Sequence, residues 1–535
     1  MRRMKRETFL SGAFALAAAG LISKVLGALY RIPLYPVLGS QGMGLFQMAY
    51  PVYAIILVLS TTGVNVAVSK LVAENLAVGN GRGAWRVFHV SLVLLTIMGL
   101  LLSLGLYACA GFVANRVTKD PRAYLSLVAI SPAVFFVSVM SAYRGLFQGM
   151  QVMTPTAVSQ VIEQVVRVAT MIGLAVLLIP RGVEYAAAGA SFGAVTGAVA
   201  GLAYLMTLFI RVRDDLLPQP LRTGTVAEGG LSTVKRVVSM AVPVSLASGV
   251  LGIIQLLDMA IVPTRLQSIG HTYEQATALY GQLSGGALPL MNLPTIFAAA
   301  LQVSLVPSIS EARALGDMNL AVSRAATALR ITSILMMPAV AGLYVLNRQI
   351  PALLYGDPEV GVSLAPLAPG ALFLSLQQAT AGVLQGLGMM ADPVRNLAWG
   401  AVAKFLLTWG LTGISSLGIK GAAFGTSAAF FVAAILNLFA LARALGPGVF
   451  SVGDMLVRPA VSSAAMGLTV ISSYSWLASH GLSGSAATAG VIFIGMTTYG
   501  VVLLLVGGLK ARDVELLPGI GPRLKPLLAR LGLLK

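Results

Sequence analysis

Long apolar segments follow one another along the whole chain and are separated by short polar connections. Most of these segments reach or exceed the roughly 20 residues that an α-helix needs to cross a bilayer. The pattern predicts about fourteen transmembrane helices, at residues 9–30, 43–69, 87–112, 123–144, 156–180, 184–210, 237–262, 280–306, 325–346, 362–387, 394–415, 420–442, 456–478 and 485–509. We therefore expect an all-α polytopic membrane protein.

The longest polar connection, residues 211–236, divides the predicted helices into two groups of six and a final pair. A polar stretch of this kind is typical of a linker. The predicted domains are an N-lobe (1–212), a cytoplasmic linker (213–236), a C-lobe (237–445), a helix pair (446–510) and a basic amphipathic cytoplasmic tail (511–535).

The two groups of six helices repeat one another weakly at an offset of 237 residues. Matches at this offset include Gly145 with Gly382, Gln148 with Gln385, Gly149 with Gly386, Glu74 with Glu311, and Arg167 with Lys404. Each group contains an even number of helices, so both groups begin on the same side of the membrane. Such parallel repeats form two lobes around a central site.

Charge supports the membrane assignment and predicts an orientation. Only 10% of the residues are charged, against about 25% in soluble domains. When charges toward the ends of spans, such as Arg31, are counted with the neighbouring connection, 25 of the 36 Lys and Arg residues belong to the N-terminus, the even-numbered connections and the C-terminal tail. Eight belong to the odd-numbered connections, and Lys24, Arg167 and Lys404 are assigned to the spans themselves. Because positive charge accumulates on the cytoplasmic side, both termini are predicted to be cytoplasmic.

The same sequence argues against several other functions. A single cysteine, Cys109, excludes an intramolecular disulfide, the three histidines lack metal-ligand spacing, and no GxxxxGK[ST] run is present for ATP hydrolysis. The tail at 516–535 resembles a helix-hairpin-helix DNA-binding motif. A lone copy after so many apolar helices is better explained as an amphipathic segment on the inner leaflet. We expect no metal, no cofactor and no nucleic acid partner.

Charges inside apolar spans indicate where function lies. A lysine such as Lys24 costs about 2.5–3.5 kcal/mol at the centre of a span and usually faces a bundle interior or a wet cavity. The alternative is that it snorkels to the interface. Five basic residues within or beside spans face only two acidic ones there, which predicts a positive cavity suited to phosphate oxygens. The predicted cavity residues are Lys24, Arg31, Asn65, Arg167, Arg265 and Lys404, with Glu163 and Asp258 for charge balance or gating. Alternatively, Glu163 and Arg167, four residues apart, neutralise each other.

Several stretches resemble the multidrug/oligosaccharidyl-lipid/polysaccharide (MOP) exporter superfamily. The nearest branch is the stage V sporulation protein B and polysaccharide biosynthesis group, which is related to the MurJ lipid II flippases. The matching stretches are residues 22–53, 61–74, 143–168, 256–266, 293–312 and the end of the tail. The resemblance implies two six-helix lobes with two further helices, a bacterial cytoplasmic membrane, and alternating access for an undecaprenyl-pyrophosphate-linked sugar.

The first helix carries the most specific part of this resemblance. Residues 23–27, SKVLG, match an SRVLGxxRD-like run of the MurJ branch in which arginines face the cavity. Lys24 replaces the first arginine, and Tyr30 occupies the place of the second, with Arg31 one residue later. The MurJ branch also has an arginine early in span eight, where residues 285–292 of this chain contain no cation.

We therefore expect a flippase for lipid-linked oligosaccharide, most specifically the peptidoglycan precursor lipid II, and no enzymatic activity. The expected partners are that substrate, membrane lipids, and a coupling cation or the membrane potential; a monomer would suffice. One alternative is a flippase for another lipid-linked polysaccharide repeat unit. Further alternatives are a cation-coupled multidrug exporter of the same fold, which the basic first helix disfavours, and a membrane scaffold for cell-wall enzymes.

Overall fold

A computed structural model describes residues 9–216, 229–446, 453–482 and 484–508, and within these ranges the regular structure is helical throughout. The chain divides into two compact units, Met1–Gly281 and Gln282–Lys535. The helices of the first unit are α1 (Phe9–Leu29), α2 (Arg31–Leu57), α3 (Gly63–Ala77), α4 (Gly81–Phe112), α5 (Ala123–Gly149), α6 (Thr154–Leu178), α7 (Val183–Leu216), α8 (Gly230–Ser248), α9 (Val250–Ser268) and α10 (Tyr273–Gly281).

The second unit begins with a π-helical turn, Gln282–Ala287, that leads directly into its first long helix. Its helices are α11 (Leu288–Ala314), α12 (Met318–Val345), α13 (Gln349–Tyr355), α14 (Val360–Leu367), α15 (Pro369–Gly386), α16 (Ala391–Thr412), α17 (Ile419–Leu445), α18 (Arg458–Ser479) and α19 (Ser485–Leu505).

The predicted all-α polytopic membrane fold is confirmed. In the described ranges, ten helical segments are long and apolar enough to cross a membrane, and eleven if α14 and α15, bent by 45°, form one span. Every predicted span overlaps a helix. The number of fourteen transmembrane helices stays a prediction. Helices α8, α9 and α16 form, but they are not among the segments that are both long enough and apolar enough to cross a membrane.

The first predicted connection, residues 31–42, is largely helical, and the prediction of a loop there was wrong. Helix α2 begins at Arg31, and Leu34, Tyr35 and Leu38 in its first turns are buried. The helix is interrupted at Gly39, which has φ +64° and ψ −178°. Glycine adopts this conformation without the steric penalty of a Cβ atom. Burial of the apolar side chains thus stabilises the helix as far as Gly39, where the backbone leaves the helical conformation.

The predicted linker is helical at both of its ends. Helix α7 continues to Leu216 and α8 begins at Gly230, while residues 217–228 lie outside the described part of the chain. The predicted tail, 511–535, also lies outside it. The final pair, α18 and α19, packs with α12 through a small apolar cluster.

The internal repeat is visible as equivalent helix packing within each unit. A Cβ atom added at Gly145 would lie 2.9 Å from Val68 and 3.3 Å from the carbonyl oxygen of Asn65 on α3. Its counterpart Gly382 meets the carbonyl oxygen of Gln302 on α11 at 2.8 Å. Asn65 and Gln302 are themselves 237 residues apart. The offset read from the sequence therefore relates contacts as well as residue types.

Candidate functional site

A carboxylate held by two arginines forms the centre of the candidate site in the first unit. Nη2 of Arg144 donates a hydrogen bond to Oε2 of Glu163 at 2.9 Å, and Nη2 of Arg167 donates to Oε1 at 2.5 Å. Nε of Arg144 also donates to the hydroxyl of Ser159 at 3.1 Å. Two helices, α5 and α6, therefore contribute to one ion cluster, which we call the Glu163 cluster (Arg144, Glu163 and Arg167).

Close packing of α6 on α7 fixes the position of this cluster. The stripe of glycines four residues apart on α7 faces α6, and a Cβ atom at Gly197 would lie 2.6 Å from the carbonyl oxygen of Glu163 and 2.8 Å from Cβ of Arg167. Small residues allow such close approach of helices in membranes. The side chains of the cluster are 13–14% exposed. The charges are thus mostly removed from solvent, where hydrogen bonds between charged groups are strongest.

Aromatic side chains of α2 and the preceding residue lie beside the cluster. Tyr30, Phe46, Tyr50 and Tyr53 contact one another in sequence, with ring centroids 5.9–6.5 Å apart. The phenol of Tyr53 lies within electrostatic reach of Arg167 and Glu163, although its hydroxyl meets no hydrogen-bond geometry among the described residues. This row gives the charged cluster an amphipathic wall.

Arg31 joins the same surroundings through Tyr30. Its Cζ atom lies 5.3 Å from the centroid of the Tyr30 ring, an arrangement that favours cation–π attraction. The Tyr30 phenol is also within electrostatic reach of Arg167. Of the residues predicted from the sequence, the described contacts thus bring together Arg31, Glu163 and Arg167.

Two arginine donors at the site lack a protein acceptor. Nε of Arg31 and Nε of Arg167 are buried and have no hydrogen-bond partner among the described residues, and the same holds for Oε1 of nearby Gln160. Buried polar atoms are usually hydrogen-bonded, and those that are not require an explanation. Guanidinium N–H groups suit phosphate and carboxylate oxygens. These atoms can donate to an anionic ligand.

The charge of the site also favours an anion. Arg31, Arg144 and Arg167 stand against one carboxylate, Glu163, which leaves a surplus of two positive charges. No cluster of three or more His, Cys, Asp or Glu side chains able to hold a metal ion occurs in the described part of the chain. The site therefore has the chemistry of an anion-binding site.

The other predicted site residues of the first unit lie on other helices. Asn65 is half-buried on α3, where its Oδ1 has no hydrogen-bond partner within the described ranges. Asp258 is buried on α9 and Arg265 is half-buried in the last turn of that helix. Lys24 belongs to α1, but its side chain lies outside the described residues. The roles predicted for these four residues stay predictions.

Lys404 belongs to the second unit and is 2% exposed. It lies in the middle of a buried stripe on α16 that includes Gly400 and Thr408. Gly400 packs against Ala429 and Thr408 packs against Gly425, both on α17. Lys404, which the repeat aligns with Arg167, therefore belongs to the stripe of α16 that faces α17. The role of Lys404 as a cavity residue stays a prediction.

Arg144 is the residue that the sequence analysis missed. The predicted span ended at residue 144, which placed this arginine at a polar connection, whereas α5 continues to Gly149. The signal was present in the sequence, because Gly145 and Gly149 continue a helical packing stripe and the polar connection begins only at Gln151. Arg144 supplies the second hydrogen bond to the Glu163 carboxylate and is itself bonded to Ser159.

Comparison with known proteins identifies a matching family and relatives that cover most of the chain. The family described as "Polysaccharide biosynthesis protein" matches residues 9–313. Stage V sporulation protein B of Bacillus subtilis (strain 168) is 29% identical over 97% of this chain and 99% of its own length. The uncharacterized membrane protein YabM of Bacillus subtilis (strain 168) is 31% identical over 82% of this chain and 81% of its own length. The lipid II flippase MurJ of the same organism is 28% identical over 93% of this chain and 94% of its own length.

Solved structures show the same fold at low identity. A lipid II flippase MurJ in an inward closed conformation matches 92% of this chain and 98% of its own, with a TM-score of 0.71 and 15% identity. An inward-facing MATE family multidrug transporter of the MOP superfamily matches 82% of this chain and 98% of its own, with a TM-score of 0.65 and 16% identity. The predicted relation to stage V sporulation protein B, the polysaccharide biosynthesis group and MurJ is confirmed. The relatives whose names state a role are a flippase and a multidrug transporter, and the solved structures confirm the predicted fold.

Proposed function

The chain belongs to the family of polysaccharide biosynthesis proteins, and on this premise we propose that it is a flippase for an undecaprenyl-pyrophosphate-linked oligosaccharide. It moves this lipid from the inner to the outer leaflet of the bacterial cytoplasmic membrane by alternating access. The proposed substrate is the peptidoglycan precursor lipid II, in cell wall or spore cortex biogenesis. The relatives named lipid II flippase MurJ and stage V sporulation protein B support this choice.

The surplus positive charge beside the Glu163 cluster is the observation that carries the proposal. Pyrophosphate is an anion whose oxygens accept the paired N–H groups of arginine. The unpartnered Nε atoms of Arg31 and Arg167 supply such donors in a mostly buried setting. A site for a cationic drug needs the opposite sign of charge, so the cluster disfavours a cation-coupled multidrug exporter.

The residues of the cluster have different tasks in this proposal. Arg31 and Arg167 donate to the pyrophosphate, while the tyrosine row beside them contacts the first sugar. Glu163 keeps Arg167 in position and limits the net positive charge, while Arg144 holds the Glu163 carboxylate in place from α5. An anion bound to unopposed buried cations would leave slowly, and transport requires release as well as binding.

We extend the proposal to the remaining predicted residues by their charge and position. Lys24, Arg265, Lys404 and the amide of Asn65 add donors for the oxygens of the headgroup, and Asp258 balances charge during the change between inward-open and outward-open states. The membrane potential assists this change, at about 2.3 kcal/mol per charge per 100 mV.

A second candidate substrate is the repeat unit of another lipid-linked polysaccharide. The family description, polysaccharide biosynthesis, favours it. Both substrates share the polyprenyl pyrophosphate that the arginines recognise and differ in the sugar. The two candidates therefore require the same test with two labelled lipids.

The test measures how fast a labelled lipid becomes accessible on the opposite leaflet of proteoliposomes. Fluorescent lipid II and a polyprenyl-pyrophosphate glycan with a different sugar are compared in parallel vesicles. We expect faster movement of lipid II with the protein than without it, and loss of that difference in an Arg31→Gln/Arg167→Gln double variant. Lys420→Gln, which removes an exposed cation at the start of α17, is the matched control. Equal rates in the double variant and the wild type would refute the role of the arginines.

A further inference from the structure

A fully buried aspartate connects the turn between α4 and α5 to helix α10. Oδ2 of Asp120 accepts a hydrogen bond from Oγ1 of Thr277 at 2.6 Å and from Nη2 of Arg122 at 2.8 Å. Oδ1 accepts from the backbone N–H and from Nε of Arg122, at 3.0 and 3.1 Å. Asp120 and Thr277 are both 0% exposed. The threonine hydroxyl thus docks α10 on a carboxylate that Arg122 already neutralises.

Helix α10 is also packed on α2 at backbone distance. A Cβ atom at Gly44 would lie 2.1 Å from the carbonyl oxygen of Thr277, and one at Gly281 would lie 2.0 Å from the carbonyl oxygen of Ser40. Arg122 further contacts the first turn of α10, with its Cζ atom 5.1 Å from the ring centroid of Tyr273. Three separate contacts therefore hold α10 within the first compact unit.

The chain leaves this unit inside a single apolar helical segment. The segment 273–314 is continuous and long enough to cross a membrane, yet the boundary between the compact units falls after Gly281. The π-helical turn Gln282–Ala287, which contains Gly285 and Gly286, separates α10 from α11. Wide π turns and paired glycines are the positions at which helices bend. Helix α10 can thus change its angle without unwinding α11.

The Asp120–Thr277 hydrogen bond lies on the side of the membrane that the charge distribution predicts to be outside. The α4–α5 turn lies in an odd-numbered connection, and α10 begins within another one, residues 263–279. By contrast, Glu74 and Arg236, joined at 2.8 Å, lie at connections predicted to be inside. An alternating-access protein must open its outer side without opening the inner one.

We propose that the Asp120–Thr277 hydrogen bond is an outer latch that holds α10 closed and breaks when the outer side opens. The proposal rests on the transport function proposed above. Its chemistry suits reversible opening, because Asp120 keeps the bidentate bond to Arg122 when the threonine leaves, so no buried charge is left unpaired. The freed hydroxyl can bond to the carbonyl oxygen of Tyr273 one turn back, as threonines in helices commonly do.

The first test needs no substrate and measures amide hydrogen exchange of the whole protein in detergent micelles. Thr277→Val removes the hydroxyl and keeps the shape of the side chain. We expect exchange in residues 273–287 to rise several-fold in this variant. Thr332→Val is the matched control, because Thr332 is 2% exposed and its hydroxyl bonds only to Ala328 of its own helix. Unchanged exchange in the Thr277 variant would overturn the latch.

The second test locks the latch covalently. In a Cys109→Ser background, Asp120→Cys and Thr277→Cys are introduced together, and oxidation closes a disulfide across the same contact. We expect lipid movement to stop on oxidation and to return with a reductant. An Asn75→Cys/Asn80→Cys pair, where the side-chain Nδ2 of Asn80 lies 3.0 Å from Oδ1 of Asn75, is expected to tolerate oxidation.

The outcomes separate the latch from the proposed function. Transport at the wild-type rate with the disulfide closed would overturn the latch even if lipid II is the substrate. If wild-type protein moves no lipid II while Thr277→Val still raises exchange in 273–287, the proposed substrate fails and the latch is supported.

Discussion

Arg144 and Glu163 join two helices through a hydrogen bond of 2.9 Å between Nη2 and Oε2. The other bond to this carboxylate, from Arg167, links residues four apart on the same helix. Of the two bonds to this carboxylate, only the first connects α5 to α6, while the second orients Arg167. A carboxylate shared in this way can neutralise just one of its two partners, and the surplus charge is left at the site.

Arg144→Gln is expected to lower the free energy of unfolding by about 3 kcal/mol. The variant loses the hydrogen bonds of Arg144 to the Glu163 carboxylate and to Ser159, and a bond to a charged group contributes about 1.5–3 kcal/mol. Arg167 remains bonded to Glu163 and keeps the carboxylate neutralised. Thermal unfolding of the detergent-solubilised protein measures the effect.

The matched control for this variant is Arg348→Gln. Arg348 pairs with Glu359 at 3.8 Å, and both side chains are more than half exposed. Exposed pairs contribute about 0–1 kcal/mol, so the melting temperature should hardly change. If the two variants lose equal stability, the Glu163 cluster does not connect α5 and α6 in the way the distances indicate.

The sequence contained only part of this site. The spacing of Glu163 and Arg167 placed them on one helical face, and the alternative of a self-neutralising pair describes their bond. The surplus positive charge of the site comes from Arg144 and Arg31. Arg144 was missed because hydropathy falls before the helix ends, so that the last turn of α5 resembles a connection. Which side chains of α5 meet α6 depends on helix rotation, which periodicity alone does not give.

Arg167→Gln is expected to slow lipid movement about 10- to 100-fold. A hydrogen bond to a charged group contributes about 1.5–3 kcal/mol, and each 1.4 kcal/mol corresponds to a factor of ten. Arg167→Lys keeps the charge but loses the planar fork, so its rate should lie between those of the Gln variant and the wild type. Leaflet accessibility of labelled lipid II in proteoliposomes measures all three. A Lys variant slower than the Gln variant would contradict this order.

Gly149→Ala and Gly386→Ala should each destabilise the protein by about 1–3 kcal/mol, the cost typical of overpacking. An added Cβ atom meets Val72 at 2.7 Å in the first case and Ile309 at 2.7 Å in the second. Gly105→Ala is the control, since nothing lies within 4 Å there and alanine favours helix over glycine. Melting temperatures measure the three variants, and a neutral Gly386→Ala beside a damaging Gly149→Ala would argue against equivalent packing in the two repeats.

The repeat itself was readable from the sequence, because glycines at helix contacts leave a residue pattern as well as a packing pattern. The place where one compact unit ends was not. Hydropathy runs without interruption through Gly281 and the π turn after it. Contacts between residues far apart in the chain, such as those of Thr277 with Asp120 and Gly44, show that α10 belongs with the first unit. Long-range contacts of this kind have no local signature.

The predicted orientation leads to a labelling pattern for single cysteines in a Cys109→Ser background. Lys420→Cys lies at a connection predicted to be outside and Met318→Cys at one predicted to be inside, and both positions are exposed. Because positive residues stay on the cytoplasmic side, a membrane-impermeant maleimide should label position 420 in intact cells and position 318 only after permeabilisation. Because both positions are exposed, each is the control for the other. Labelling of position 318 in intact cells would reverse the orientation and place the Asp120–Thr277 contact on the cytoplasmic side.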